Sequence, residues 1–236
     1  MPSLILAVLL SLVQSPFLVK SQPLTHAEPT MRTYKKQDDS ITYERVIPLA
    51  DVKAFLKYMK EHYKSETGVN LWLHKLSNNQ YFGLTFDYEN DKTLFLLFNK
   101  QGAKISVVST NTEDRACAGY LHSAFFRGTD RVLITNSFNF PDGGFCGTRP
   151  YEYRNGNLKP LGEIPVFDGI DGEGAAVGSD AVNKSATAVY SSNTYYITLR
   201  GRGPLYSFDE NQTKLAGPHI PVTFKYDGNT FILLKK

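Results

Sequence analysis

Between Leu49 and Tyr63 the apolar positions recur every three or four residues: Leu49, Val52, Leu56, Met59 and Tyr63. That spacing lines one face of an α-helix. Lys53, Lys57, Lys60, Glu61 and Lys64 fall on the other side. Pro48 suits the start of a helix and Gly68 its end, which predicts a helix over about 48–65. The apolar stripe is what a helix needs to cover a sheet. The lysine face is then either solvated or a basic docking surface.

From Val69 the period becomes two. Leu71–Leu76, Tyr81–Tyr88, Thr93–Asn99 and Ala103–Thr110 read as strands joined by Asn-, Asp- and Gly-rich turns. Ile41–Val46, Arg131–Ser137 and Tyr195–Arg200 read as further strands. Asn155-Gly156 and Asp227-Gly228 are strong hairpin signals, because a two-residue type I′ turn needs positive φ at both positions. Residues 28–40 are polar and without period, the pattern of a flexible leader. The expected fold is mainly β: an antiparallel meander, or a propeller-like repeated sheet, with one N-terminal amphipathic helix in a single domain over 41–236.

The repeated-sheet alternative comes from an internal echo. Phe98-Asn-Lys-Gln-Gly-Ala-Lys-Ile, Tyr153-Arg-Asn-Gly-Asn-Leu-Lys and Phe208-Asp-Glu-Asn-Gln-Thr-Lys-Leu share one pattern at equal spacing. The last two also share tails, Leu161-Gly-Glu-Ile-Pro-Val and Leu215-Ala-Gly-Pro-His-Ile-Pro-Val. Such a period lies in the range of propeller blades.

The first residues bear on compartment. Leu4 to Val13 is apolar apart from one serine and has no charge, the length of a signal-peptide h-region and too short to span a bilayer. Two small-residue exits follow: Val19-Lys20-Ser21, cut before Gln22, and Thr25-His26-Ala27, cut before Glu28. The second is preferred, giving a signal segment of 1–27 and a secreted or periplasmic mature chain. In that compartment the only two cysteines, Cys117 and Cys146, are expected to form one disulfide.

The net charge of +3 includes Lys20, so the mature chain is nearly neutral. Without a Lys/Arg cluster this argues against nucleic acid, and no later stretch is long and apolar enough to span a membrane. Hydrolase, metalloprotease, nucleotide-binding and redox signatures are all missing. The most unusual segment is 167–180, where Asp168, Asp171, Glu173 and Asp180 lie among glycines. Tight Gly turns let carboxylates converge, so this is a candidate Ca²⁺ loop; a solvated Asp-Gly turn is the plainer account. Arg200-Gly-Arg202-Gly is a candidate anion-binding turn. Asn183-Lys-Ser and Asn211-Gln-Thr are glycosylation sequons if the source is eukaryotic.

Asp171-Gly-Glu-Gly-Ala-Ala followed by Tyr195-Tyr-Ile-Thr-Leu-Arg-Gly-Arg-Gly-Pro-Leu resembles the blade start of esterase-like phytase propellers. The resemblance spans residues 171–205 and departs from the family at Gly172, where a bulky apolar residue is usual. It implies an acidic role for Glu173 and an anion contact at Arg200 or Arg202. Two functions follow. The first is an exported, non-catalytic binding protein of the inhibitor, immunity or adhesion type, with another protein or a glycan as partner. The alternative is a Ca²⁺-dependent hydrolase of a phosphate or ester.

Overall fold

A computed structural model describes residues 21–63, 68–87, 89–114, 121–139, 145–168, 186–201, 203–207 and 213–234. The elements in chain order are β1 (Gln22–Ala27), β2 (Met31–Lys36), β3 (Asp39–Glu44), α1 (Leu49–His62), β4 (Asn70–Lys75), β5 (Gln80–Asp87) and β6 (Lys92–Gln101). Then follow β7 (Lys104–Asp114), β8 (Leu121–Arg127), β9 (Arg131–Asn139), β10 (Phe145–Arg154), β11 (Asn157–Pro160) and β12 (Val166–Asp168). The last are β13 (Thr187–Ser191), β14 (Thr194–Leu199), β15 (Leu205–Ser207), β16 (Lys214–Ala216), β17 (Val222–Tyr226) and β18 (Phe231–Leu233).

The strands form a six-stranded sheet, β2-β3-β4-β5-β6-β7, a nine-stranded sheet, β11-β10-β9-β8-β1-β13-β14-β17-β18, and a three-stranded sheet, β12-β15-β16. The fold is therefore mainly β and antiparallel, with a curled half-barrel and, among the described residues, a single helix. The meander β4 to β7 is the one read from period two. β3 and β4 are the exception: they pair in parallel, Ile41 opposite Leu71. A parallel pair needs a crossover, and α1 supplies it. The nine-stranded sheet runs on without dividing into the short radial blades of a propeller.

The helix forms as its periodicity demands but is shorter than expected, ending at His62. Val52, Phe55, Leu56 and Met59 are its buried residues. Phe55 joins the buried face, whereas Leu49, in the first turn, remains exposed. These side chains pack on Ile41, Leu71, Leu73, Leu94, Leu96 and Phe98. The opposite face of the same sheet presents Phe82, Leu84, Phe95 and Leu97 to Phe125, Val132, Ile134 and Tyr151 of the nine-stranded sheet. Thus β6 is buried on both faces from Thr93 to Phe98. A central strand between two covering layers becomes a continuous apolar run, which is what Leu94-Phe-Leu-Leu-Phe98 is. A third cluster, including Leu24, Phe126, Leu133, Ile164, Val166, Ile197, Leu199 and Phe224, joins the other face of the nine-stranded sheet to the three-stranded sheet.

Two expectations near the N-terminus change. The polar stretch 28–40 is not a flexible leader: it carries β2 and the start of β3, paired from Met31↔Glu44 to Lys36↔Asp39. An edge strand needs few apolar residues, because charged side chains there discourage further pairing, and Arg32, Lys35 and Lys36 provide them. Residues 22–27, assigned above to the discarded segment, form β1 in the middle of the largest sheet. Gln22–Leu24 pair with β13 and Thr25–Ala27 with β8. This one strand joins the two halves of the sheet.

The turns repay comparison too. Asn155 and Gly156 have φ of 50° and 80°, the type I′ geometry expected. A second turn of that kind, Ser192-Asn193 with φ of 51° and 60°, carries no glycine and was not read from the sequence. Asp227-Gly228 is a wider connection: Tyr226 faces Phe231, and Asp227 Oδ1 accepts the N–H groups of Asn229 and Thr230.

Candidate functional site

The site best formed by described residues is a groove of about 570 Å³ between α1 and the edge strand β2. Tyr34 and Lys36 come from β2; Lys53, Leu56, Lys57, Lys60 and Glu61 come from α1. On β2 the two positions are two apart and share one face. On the helix Lys53, Leu56, Lys57, Lys60 and Glu61 are related by steps of three and four, which places the side chains along one flank. The lysine face seen in the sequence is thus one wall of a groove, with Leu56 and Tyr34 supplying apolar surface.

The charges are unevenly matched. Lys60 Nζ forms an ion pair with Asp39, whose carboxylate is almost buried and also accepts the Val69 N–H at 3.0 Å. Lys57 lies 3.9 Å from Glu61 across one helical turn, both largely exposed, a pairing worth a few tenths of a kcal/mol at most. Lys36 and Lys53 make no ion pair among the described residues. Among the described residues the groove therefore presents more ammonium groups than carboxylates.

Three interior clusters concentrate polar chemistry and have their own physical accounts. On the nine-stranded sheet, Arg131 has a side chain 5% exposed, gives Asp130 a two-pronged contact at 2.8 and 2.9 Å, and reaches Glu152 at 3.4 Å. Its guanidinium lies 3.5 Å over the Tyr190 ring. Tyr195 donates its hydroxyl to Glu152. Burial, then the neighbouring Glu152 carboxylate, push the Tyr195 phenol well above its ordinary value, so it stays a donor. Every member has a partner, the condition for a stabilising buried network.

Between the two large sheets, Tyr151 donates to Glu113 at 3.0 Å, and Arg149 approaches the same carboxylate at 3.2 Å. Burial raises the Glu163 carboxyl; Arg149 opposes that shift and Glu113 adds to it. In the same layer His74 Nδ1 sits 3.1 Å from Glu44 Oε1, with both side chains buried. The rings of Phe125 and Phe82 lie 4.4 and 6.3 Å away. Burial lowers the His74 pKa against the upward pull of Glu44, so the ring is neutral at pH 7 and donates to the carboxylate.

The residues singled out in the sequence fall largely elsewhere. Cys117 lies outside the described residues; Cys146 lies on β10 where the register shifts between Phe145 and Gly147. Asp171, Glu173, Asp180, Asn183, Arg202 and Asn211 also lie outside the described residues. Asp168 ends β12 opposite Leu205, the first residue of β15. Arg200 is exposed. Among the described residues no group of three His, Cys, Asp or Glu is placed to hold a metal ion, and no helix is long and apolar enough to cross a membrane. The groove was half legible beforehand: the lysine stripe was seen, but its partner strand had been read as unstructured.

No family model, no curated protein and no solved structure matches this chain.

Proposed function

We propose that this chain is an exported, non-catalytic binding protein that holds an acidic segment of a partner protein in the groove between α1 and β2. The observation that carries the reading is Lys36, Lys53, Lys57 and Lys60 converging on one groove where, among the described residues, Glu61 is the one lining carboxylate. Lysine ammonium groups are mobile point charges on long stems. They suit an extended acidic chain better than a sugar, which needs fixed donors and acceptors for its hydroxyls. Export is supported by the apolar segment Leu4 to Val13, and a Cys117–Cys146 disulfide by that compartment.

The test is fluorescence anisotropy of a labelled oligo-glutamate peptide with the full chain. Binding should weaken steeply between low and physiological salt. Lys53→Glu with Lys57→Glu should weaken it roughly tenfold or more, because rim charges act through local potential. Equal binding by that variant would refute the groove. Tighter binding of a sulfated polysaccharide than of the peptide would replace the proposed partner with a glycan.

A Ca²⁺-dependent hydrolase is a second reading, supported by the pairing of Asp168 with Leu205, which follows the Arg200-Gly-Arg-Gly turn closely in the chain. Asp168, Asp171 and Glu173, with Asp180 in the same loop, would hold the ion, and Arg200 or Arg202 would face the anionic substrate. A ligand that binds only the native state must raise the melting temperature. No difference between millimolar Ca²⁺ and EDTA would remove this reading.

A further inference from the structure

We propose that the exported chain is cut between Ser21 and Gln22, so that the mature protein begins with the first residue of β1. This rests on the export reading of Leu4 to Val13 and settles which of two small-residue exits a signal peptidase can use without destroying the fold. The argument comes from the place of β1 in the sheet. Its first half pairs with β13, through Gln22↔Tyr190, Pro23↔Val189 and Leu24↔Ala188. Its second half pairs with β8, through Thr25↔Arg127, His26↔Phe126 and Ala27↔Phe125. Neither β8 nor β13 reaches the other except through β1.

A cut before Glu28 would remove this strand entire. Two central strands would become open edges, a liability that folded proteins avoid. The core cluster shared with the three-stranded sheet would lose Leu24, which is 6% exposed and grouped with Phe126, Leu133, Ala188 and Ile197. The stacking of His26 on Phe126, with ring centroids 5.0 Å apart, would go with it. The end of the strand is anchored as well: Gln22 Nε2 donates to Thr129 Oγ1 at 2.9 Å. A cut before Gln22 loses none of these contacts. It falls next to Ser21, which is exposed, and it puts Ser21 and Val19 at the two positions where signal peptidases require small side chains. The Thr25-His26-Ala27 triplet also satisfies that requirement, but its residues are strand residues, Ala27 paired opposite Phe125.

The test is expression of the full chain in a host with a working secretory pathway, followed by intact mass and N-terminal sequencing of exported and retained fractions. The expected product starts at Gln22, as such or cyclised with loss of ammonia. In the full chain, Ser21→Phe should persist at precursor mass in at least most of the molecules, and Ala27→Leu should mature as wild type does. A start at Glu28, anywhere within 23–27, or upstream of Gln22 would overturn the cleavage site and leave export standing. Normal maturation of Ser21→Phe would overturn it too. Uncut chain beginning at Met1 and confined to the cytosol would overturn the export reading itself, and the site with it.

Discussion

Leu24 offers a direct measure of how much the fold depends on β1. Truncation to alanine removes buried carbons from a core cluster in which Leu24 is 6% exposed. Such changes cost about 2–5 kcal/mol, combining lost transfer free energy with the cavity left behind. In a domain of this size that corresponds to a melting-temperature fall of roughly 5–15 °C. A second substitution probes the same contact from the other side. A Cβ added at Gly128, in the β8–β9 connection, would stand 2.8 Å from Leu24 Cδ2 and 3.0 Å from Gln22 Nε2. Gly128→Ala in the wild-type background should therefore cost about 1–3 kcal/mol through overpacking. In the Leu24→Ala background the new methyl enters vacated space and should cost less, a coupling of about 1 kcal/mol or more. Urea unfolding of the four proteins, analysed as a double-mutant cycle, provides the comparison. Costs within about 0.5 kcal/mol of zero for Leu24→Ala, or strictly additive costs, would refute the central placement of β1.

Other predictions follow from the buried clusters. His74 is held below its ordinary 6.5 in the fold, so the unfolded chain takes up its proton first. Stability should be level above that pH and fall below it, by up to about 1.4 kcal/mol per pH unit. Glu163, raised by burial above its ordinary 4.5, works with the opposite sign, so the histidine slope is read as the difference between wild type and His74→Gln. An identical pH profile for the two proteins would remove the assignment. Arg131→Lys keeps the charge but loses the two-pronged contact with Asp130 and the flat stack on Tyr190. It should cost about 1–3 kcal/mol, and a lysine variant as stable as wild type in chemical denaturation would show the network to be dispensable. Titration of the unfolded, unreduced exported protein should show no free thiol if Cys117 and Cys146 are joined; two reactive thiols would exclude the bond.

The helix and the meander were legible because each carries its own period. In α1 the apolar stripe named the face that covers the sheet, and in β4 to β7 the alternation and the turns named the hairpins. The strongest errors came from segments whose structure is not encoded locally. β2 is polar because it is an edge, and polarity without period reads as a leader. β1, Gln-Pro-Leu-Thr-His-Ala, contributes one buried leucine and resembles a cleavage exit, since small residues suit both. The lysine stripe was visible, but a groove needs two walls, and the second wall was the misread strand. The interior networks were invisible for a simpler reason: Arg131 and Tyr195, or His74 and Glu44, lie too far apart in the chain for any spacing rule to connect them.

The sequence by itself determined the class of fold, the helix, the hairpin register at Asn155-Gly156 and the existence of a basic helical face. These depend on side-chain alternation and backbone preference within a few residues. Only the tertiary structure decided that β1 joins β8 to β13, that β3 and β4 run parallel, that β6 is buried on both faces and that β2 closes the lysine groove. Strand order and layer contacts are set by which apolar surfaces remain uncovered once every local element has formed, and that is a property of the whole chain.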